Sequence, residues 1–96
     1  MDKQYHVYIM ASGRNGTLYI GSTSDLEGRV WEHKNKVDEQ SFSARYKVNK
    51  LVYYEECGDP HAMVEAERSM KNWNRSWKLR VIEEQNPDWK DLSEDW

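Results

Sequence analysis

The sequence predicts an α/β (α+β) fold: a three-stranded antiparallel sheet flanked by helices. Three observations lead there. Two short segments rich in branched and aromatic residues, residues 5–11 and 17–22, flank a turn cluster that ends in Asn15-Gly16, a dipeptide that tolerates positive φ and marks hairpins. A third segment of the same character, LVYYEE at residues 51–56, supplies the remaining strand. Elsewhere apolar residues recur every three or four positions, which is helical spacing. At 96 residues the chain is expected to form one domain over residues 1–96, with an acidic, Trp-containing tail at about 86–96.

The first helix is expected to begin at Ser24-Asp25-Leu26-Glu27. These residues read as a capping box in which Ser24 and Glu27 exchange hydrogen bonds. It should run to about Val37 and bury the face of Leu26, Val30, His33 and Val37. Gly28 inside it costs about 1 kcal/mol relative to alanine unless it permits a close approach. Residues 38–50 form a polar connection, with Phe42 and Tyr46 as anchors. Asp59 and Pro60 are an N-cap and first helical residue. From there Met63, Ala66, Met70, Trp73 and Trp77 outline a buried face. A break is expected at residues 74–76 and a further helix at about 77–84, which Asn86-Pro87 ends.

Five Trp and six Tyr against a single Phe suggest that these aromatics fill most of the core. No apolar run approaches the ~20 residues of a membrane helix, and the start lacks a secretory pattern. The single cysteine, Cys57, cannot form an internal disulfide. Together these point to a cytoplasmic protein. The net charge of −3 is unevenly placed: residues 1–82 carry +2 and residues 83–96 carry −5. The body can therefore present a local basic face, although a strong DNA binder usually shows a larger basic excess.

Several residues carry chemical potential. Tyr8 and Tyr19 fall one on each strand of the hairpin. Arg29 and His33 are four apart on the following helix and point the same way. A guanidinium stays charged and donates in a fixed fork to phosphate oxygens. A phenol, with a pKa of about 10, needs a neighbouring cation or an already acidified water to serve as a base near neutrality. His33 could equally be a half-buried helix residue. Glu67, four before Lys71, could simply form a surface ion pair. The three histidines and Cys57 lack zinc-ligand spacing.

Read together, Val7-Tyr8 and Tyr19-Ile20-Gly21, Arg29, His33, LVYYE and AERSMKNWNRSWK, with the ending NPDW, resemble the GIY-YIG nuclease family in its small single-domain form. The first half-motif departs from the name, reading His6-Val7-Tyr8. The resemblance implies a metal-dependent endonuclease that hydrolyses phosphodiester bonds of nucleic acid, with DNA as the expected substrate and a structure-directed role in repair or recombination. It implies that Tyr8 and Tyr19, with His33, position and deprotonate water, that Arg29 stabilises the transition state, and that Glu67 holds one Mg²⁺ or Mn²⁺. Asn86 aligns with a supporting asparagine; it could also merely stop a helix. Lys71, Arg75 and Lys78, with Arg45, Lys47 and Lys50, are candidates for a phosphate-tracking surface. The alternative from another class is a non-catalytic module of the same fold that binds nucleic acid or a protein partner.

Overall fold

The computed structural model describes residues 4–35 and 46–96. Strands β1 (Tyr5–Ala11), β2 (Leu18–Thr23) and β3 (Lys50–Cys57) and helices α1 (Leu26–Asn35), α2 (Pro60–Asn72) and α3 (Arg75–Gln85) follow in the order β1, β2, α1, β3, α2, α3. The strands lie in the order β2-β1-β3, and both pairings are antiparallel. The predicted sheet is therefore present, with each strand within a residue or so of its expected bounds.

The hairpin closes as its turn residues dictate. Asn15 takes φ 58°, the Ser12 amide donates to Thr17 O at 3.0 Å, and the Gly16 amide donates to Gly13 O at 3.0 Å. β1 is central and covered on both faces, so all of Val7 through Ala11 is buried. One face, with Val7, Ile9, Ala11, Ile20 and Val52, packs beneath Met70 of α2 and Ile82 of α3, with Trp89 from the tail. The other, with Tyr8, Met10 and Leu51, packs beneath Leu26 and Val30 of α1. Alternation along the strands puts Tyr8 and Tyr19 on the α1 side and Ile20 and Ser22 on the α2 side.

A register shift between Ile9 and Met10 leaves Val52 as an extra residue on β3, since Ile9 faces Tyr53 and Met10 faces Leu51. The carbonyl at this bulge accepts from the Asn86 side chain at 3.1 Å. The tail then runs back along β3: the Leu92 amide donates to Leu51 O at 2.7 Å, and the Leu51 amide donates to Asp91 Oδ1 at 3.2 Å.

Several expectations are corrected. The cap of α1 is Asp25 rather than Ser24: its Oδ1 accepts from the Gly28 amide at 3.1 Å, and its own amide donates to Thr23 Oγ1. An added Cβ at Gly28 would stand 2.2 Å from the Asp25 carboxylate, so this glycine makes room for the cap. The last helix starts at Arg75, two residues earlier than expected, because Asn74 caps it by accepting from the Trp77 amide. That start lifts Trp77 off the buried face, and it is exposed. The core is also less aromatic than composition suggested. It is mostly aliphatic and Met, with Tyr8, Tyr53 and Trp89, while Trp31, Trp77 and Trp96 lie at the surface. The expected helix end near Val37, the Phe42 anchor and the phosphate-tracking Arg45 fall outside the described residues.

Candidate active site

The hairpin and α1 bring four of the expected residues together. Tyr8 Oη lies 3.0 Å from His33 Nε2. The Tyr19 and His33 rings are 4.9 Å apart between centroids, and Tyr8 and Tyr19 are 6.2 Å apart. The Arg29 guanidinium is near enough to lower the pKa of the same Tyr8 hydroxyl, and it pairs with Glu32 at 3.0 Å. Tyr8 can enter this cluster because the residue opposite it across β1 and β2 is Gly21. An added Cβ there would stand 2.6 Å from Tyr8 Oη and 2.9 Å from Tyr19 Cε1. The glycine of the half-motif thus leaves space for both rings.

Burial sets the electrostatics. Tyr8 is wholly buried, and desolvation pushes its hydroxyl up to about 12, helped by Tyr19 and opposed by Arg29. His33 is buried too. Desolvation and the Arg29 charge bring it down to about 4, so the imidazole is neutral near pH 7. At Arg29, burial, which lowers the pKa, is outweighed by Tyr8 and Glu32, and the guanidinium stays charged.

Glu67 reaches the site from the other layer. α2 sets its carboxylate against β2, where Oε1 accepts from Ser22 Oγ and Oε2 accepts from Lys71 Nζ at 2.7 Å. Burial tends to raise its pKa, but Lys71 and Ser22 outweigh that and keep it ionised. Ser22 is the residue after Gly21, so the site straddles edge strand β2, with tyrosines on one side and the carboxylate on the other. Glu67 is near enough for its charge to raise the Tyr8 pKa. Glu65, two residues earlier on α2, instead pairs with Arg68 on the exposed face.

The donors fit a hard divalent cation. A carboxylate and a hydroxyl are all-oxygen ligands, and magnesium needs few of them because it keeps several waters. Among the described residues no group of three His, Cys, Asp or Glu gathers to hold a metal. A divalent ion at Glu67 would need water and substrate oxygens as its other ligands.

The remaining candidates are placed differently. Asn86 is buried, and its amide donates to Val52 O and Lys90 O while its Oδ1 accepts from the Lys90 amide at 2.9 Å. It secures the tail and β3. Arg75 donates to Asn15 O at 2.7 Å and Gly16 O at 2.6 Å, which ties α3 to the hairpin turn. Lys78 donates to Lys71 O at 3.5 Å, and Lys47 is exposed with φ 56°. Arg75 and Lys78 line one open depression of about 550 Å³ beside the hairpin turn. Sequence reasoning did not single out Ser22 or Glu32. Strand alternation from Tyr19 puts Ser22 on the α2 side, and Glu32 is three residues after Arg29, so both were within reach of spacing arguments.

A family model described as the GIY-YIG catalytic domain matches residues 4–80. The chain belongs to the GIY-YIG family. It is 32% identical to a UPF0213 protein of Bacillus pumilus over 85 residues, covering 88% of this chain and 85% of that protein. A UPF0213 protein of Staphylococcus saprophyticus is 33% identical over 84 residues, covering 88% and 99%. One from Syntrophus aciditrophicus is 32% identical over 88 residues, covering 92% and 98%. No solved structure matches the chain significantly. A GIY-YIG chain has a nuclease-like fold, and in this one no helix among the described residues is long and apolar enough to cross a membrane.

Proposed function

We propose that this chain is a divalent-metal-dependent endonuclease that hydrolyses phosphodiester bonds in DNA. The observation that carries the reading is the convergence of Arg29 and His33 on one buried tyrosine hydroxyl, beside Tyr19 and across β2 from Glu67.

The two tyrosines divide the work by accessibility. Tyr8, wholly buried and raised to about 12, is a poor base and instead holds His33 and Arg29 in place. Tyr19 is only partly buried and orients the attacking water. His33, brought down to about 4, is neutral at pH 7 but too weak a base to keep the proton lost by that water. It holds the Tyr8 hydroxyl and the Tyr19 ring in place, and the proton leaves through the partly exposed Tyr19 hydroxyl to solvent. Arg29 donates to the non-bridging oxygens, where charge accumulates in the transition state. Glu67, with Ser22 beside it, would hold Mg²⁺ or Mn²⁺, which supplies charge neutralisation and an acidified water when bound. Lys71, which is exposed, and Lys78, which is half-buried, lie on the Glu67 side, where the phosphate backbone would run.

The test is a cleavage panel: flapped, branched, single-stranded and duplex DNA with matched RNAs, in Mg²⁺, Mn²⁺ or chelator. Metal-dependent nicking of DNA that disappears with chelator and returns with metal is expected. Binding without cleavage at every metal concentration would instead favour the non-catalytic module.

A further inference from the structure

Lys71 stands where it can do more than track phosphate. It lies one helical turn after Glu67, and its ammonium donates to Glu67 Oε2 at 2.7 Å, while the other carboxylate oxygen is engaged by Ser22 Oγ. The oxygen facing away from the strand is thus covered by a cation on a flexible stem. The Lys71 side chain is 55% exposed and that of Glu67 26%, so the lysine can swing away while the carboxylate stays anchored to β2. An ammonium and a divalent cation compete for one oxygen, and they repel each other when both are close.

Building on the nuclease reading, we propose that Lys71 is an exchangeable counter-ion of the metal site. Without metal it occupies Glu67 Oε2. When a divalent cation takes that oxygen, the displaced ammonium is released to bind a phosphate of the substrate strand. The exchange couples the two ligands: metal frees a phosphate contact, and a phosphate that holds Lys71 away from Glu67 opens the metal site. A surface ion pair of this kind contributes little stability, so the exchange is easy in both directions. The pair also gives Lys71 a different part from Lys78, whose ammonium rests on a backbone carbonyl rather than on the ligand.

Calorimetric titration of Mn²⁺ into the full chain without nucleic acid tests this directly, because it reads affinity rather than activity. Lys71→Met is expected to bind Mn²⁺ about three- to fivefold more tightly than wild type, the scale of a lost surface pair. Lys71→Arg should stay close to wild type, and Glu67→Gln should lose the site. In the second arm, binding of a phosphorothioate flap DNA is measured with and without Mn²⁺. The metal-induced gain in affinity should be large in wild type and reduced in Lys71→Met. If Lys71→Met binds Mn²⁺ no more tightly than wild type while Glu67→Gln abolishes binding, the exchange is wrong and the metal assignment stands. If Glu67→Gln binds Mn²⁺ as wild type does, the metal assignment itself fails and the exchange falls with it.

Discussion

An added Cβ at Gly21 would meet the Tyr8 hydroxyl at 2.6 Å and its ring at 2.8 Å, and Tyr8 is wholly buried. Gly21→Ala should therefore displace Tyr8 rather than be absorbed. Overpacking of this sort costs about 1–3 kcal/mol, and the shift should appear as a lowered urea midpoint and altered ring resonances of Tyr8 and His33. His33 gives a second prediction at this scale. Folded, it stays neutral down to about pH 4, whereas in the unfolded chain it protonates below about pH 6.5. Between those values the unfolded state binds more protons, so stability is full above pH 6.5 and falls as the pH drops toward 4. With allowance for solvent screening the loss is about 1–2 kcal/mol. Urea melts at pH 7 and 4.5 should show a smaller difference in His33→Asn than in wild type. Four residues of the proposed site were legible in the sequence because their spacing brings them together: Tyr8 and Tyr19 through the hairpin, Arg29 and His33 through one helical turn. The use of Gly21 was not, since a missing side chain gains meaning only from what stands opposite; alternation could place Ser22 on the α2 side but could not show that Glu67 meets it there.

Among the elements, α3 carries the clearest revision. Its expected phosphate contact, Arg75, spends its guanidinium on two carbonyls of the hairpin turn. Arg75→Ala should thus act mainly on folding, with a loss of about 1–2 kcal/mol for charge-assisted bonds at an exposed site. Its effect on DNA affinity should be smaller than that of Lys78→Ala, which binding isotherms at two salt concentrations would separate. The strands and the start of α2 were readable because Asn-Gly, Asp59-Pro60 and the branched-aromatic runs are local signals. The start of α1 was not. Ser24, Asp25 and Thr23 are all competent capping residues, and the choice of Asp25 follows from Thr23 Oγ1 accepting its amide and from the room that Gly28 leaves for its carboxylate. Trp77 was misplaced for a related reason: helical spacing continues across Asn74 in the sequence, but the cap at Asn74 resets the helix.

For the whole molecule, the acidic tail proves to be a clamp. Asn86 joins the β3 bulge to the Lys90 turn, and Asp91 binds Lys34 at 2.6 Å on the far side. Removing Asn86 would leave buried backbone groups unpartnered, so Asn86→Ala should cost about 2–3 kcal/mol and loosen the tail without touching Glu67 or the tyrosines. Hydrogen exchange at Lys90 and Leu92 would report the loosening. Net charge alone hid this arrangement, because composition counts the tail carboxylates without showing that Asp91 is spent on Lys34 and on backbone amides. Composition also overstated the aromatic core: it cannot say that Trp31 and Trp96 face water while Val, Ile, Leu and Met fill the interior. What unites the molecule is a proposed site split across β2, with the tyrosines, His33 and the guanidinium on one layer and the Glu67 carboxylate on the other. The most direct measurement is cleavage of flap DNA in Mn²⁺ by wild type, Arg29→Ala and Glu67→Gln, purified in parallel and matched for thermal unfolding. Each variant should be folded and at least about 100-fold slower than wild type; cleavage by both at the wild-type rate would contradict the split site.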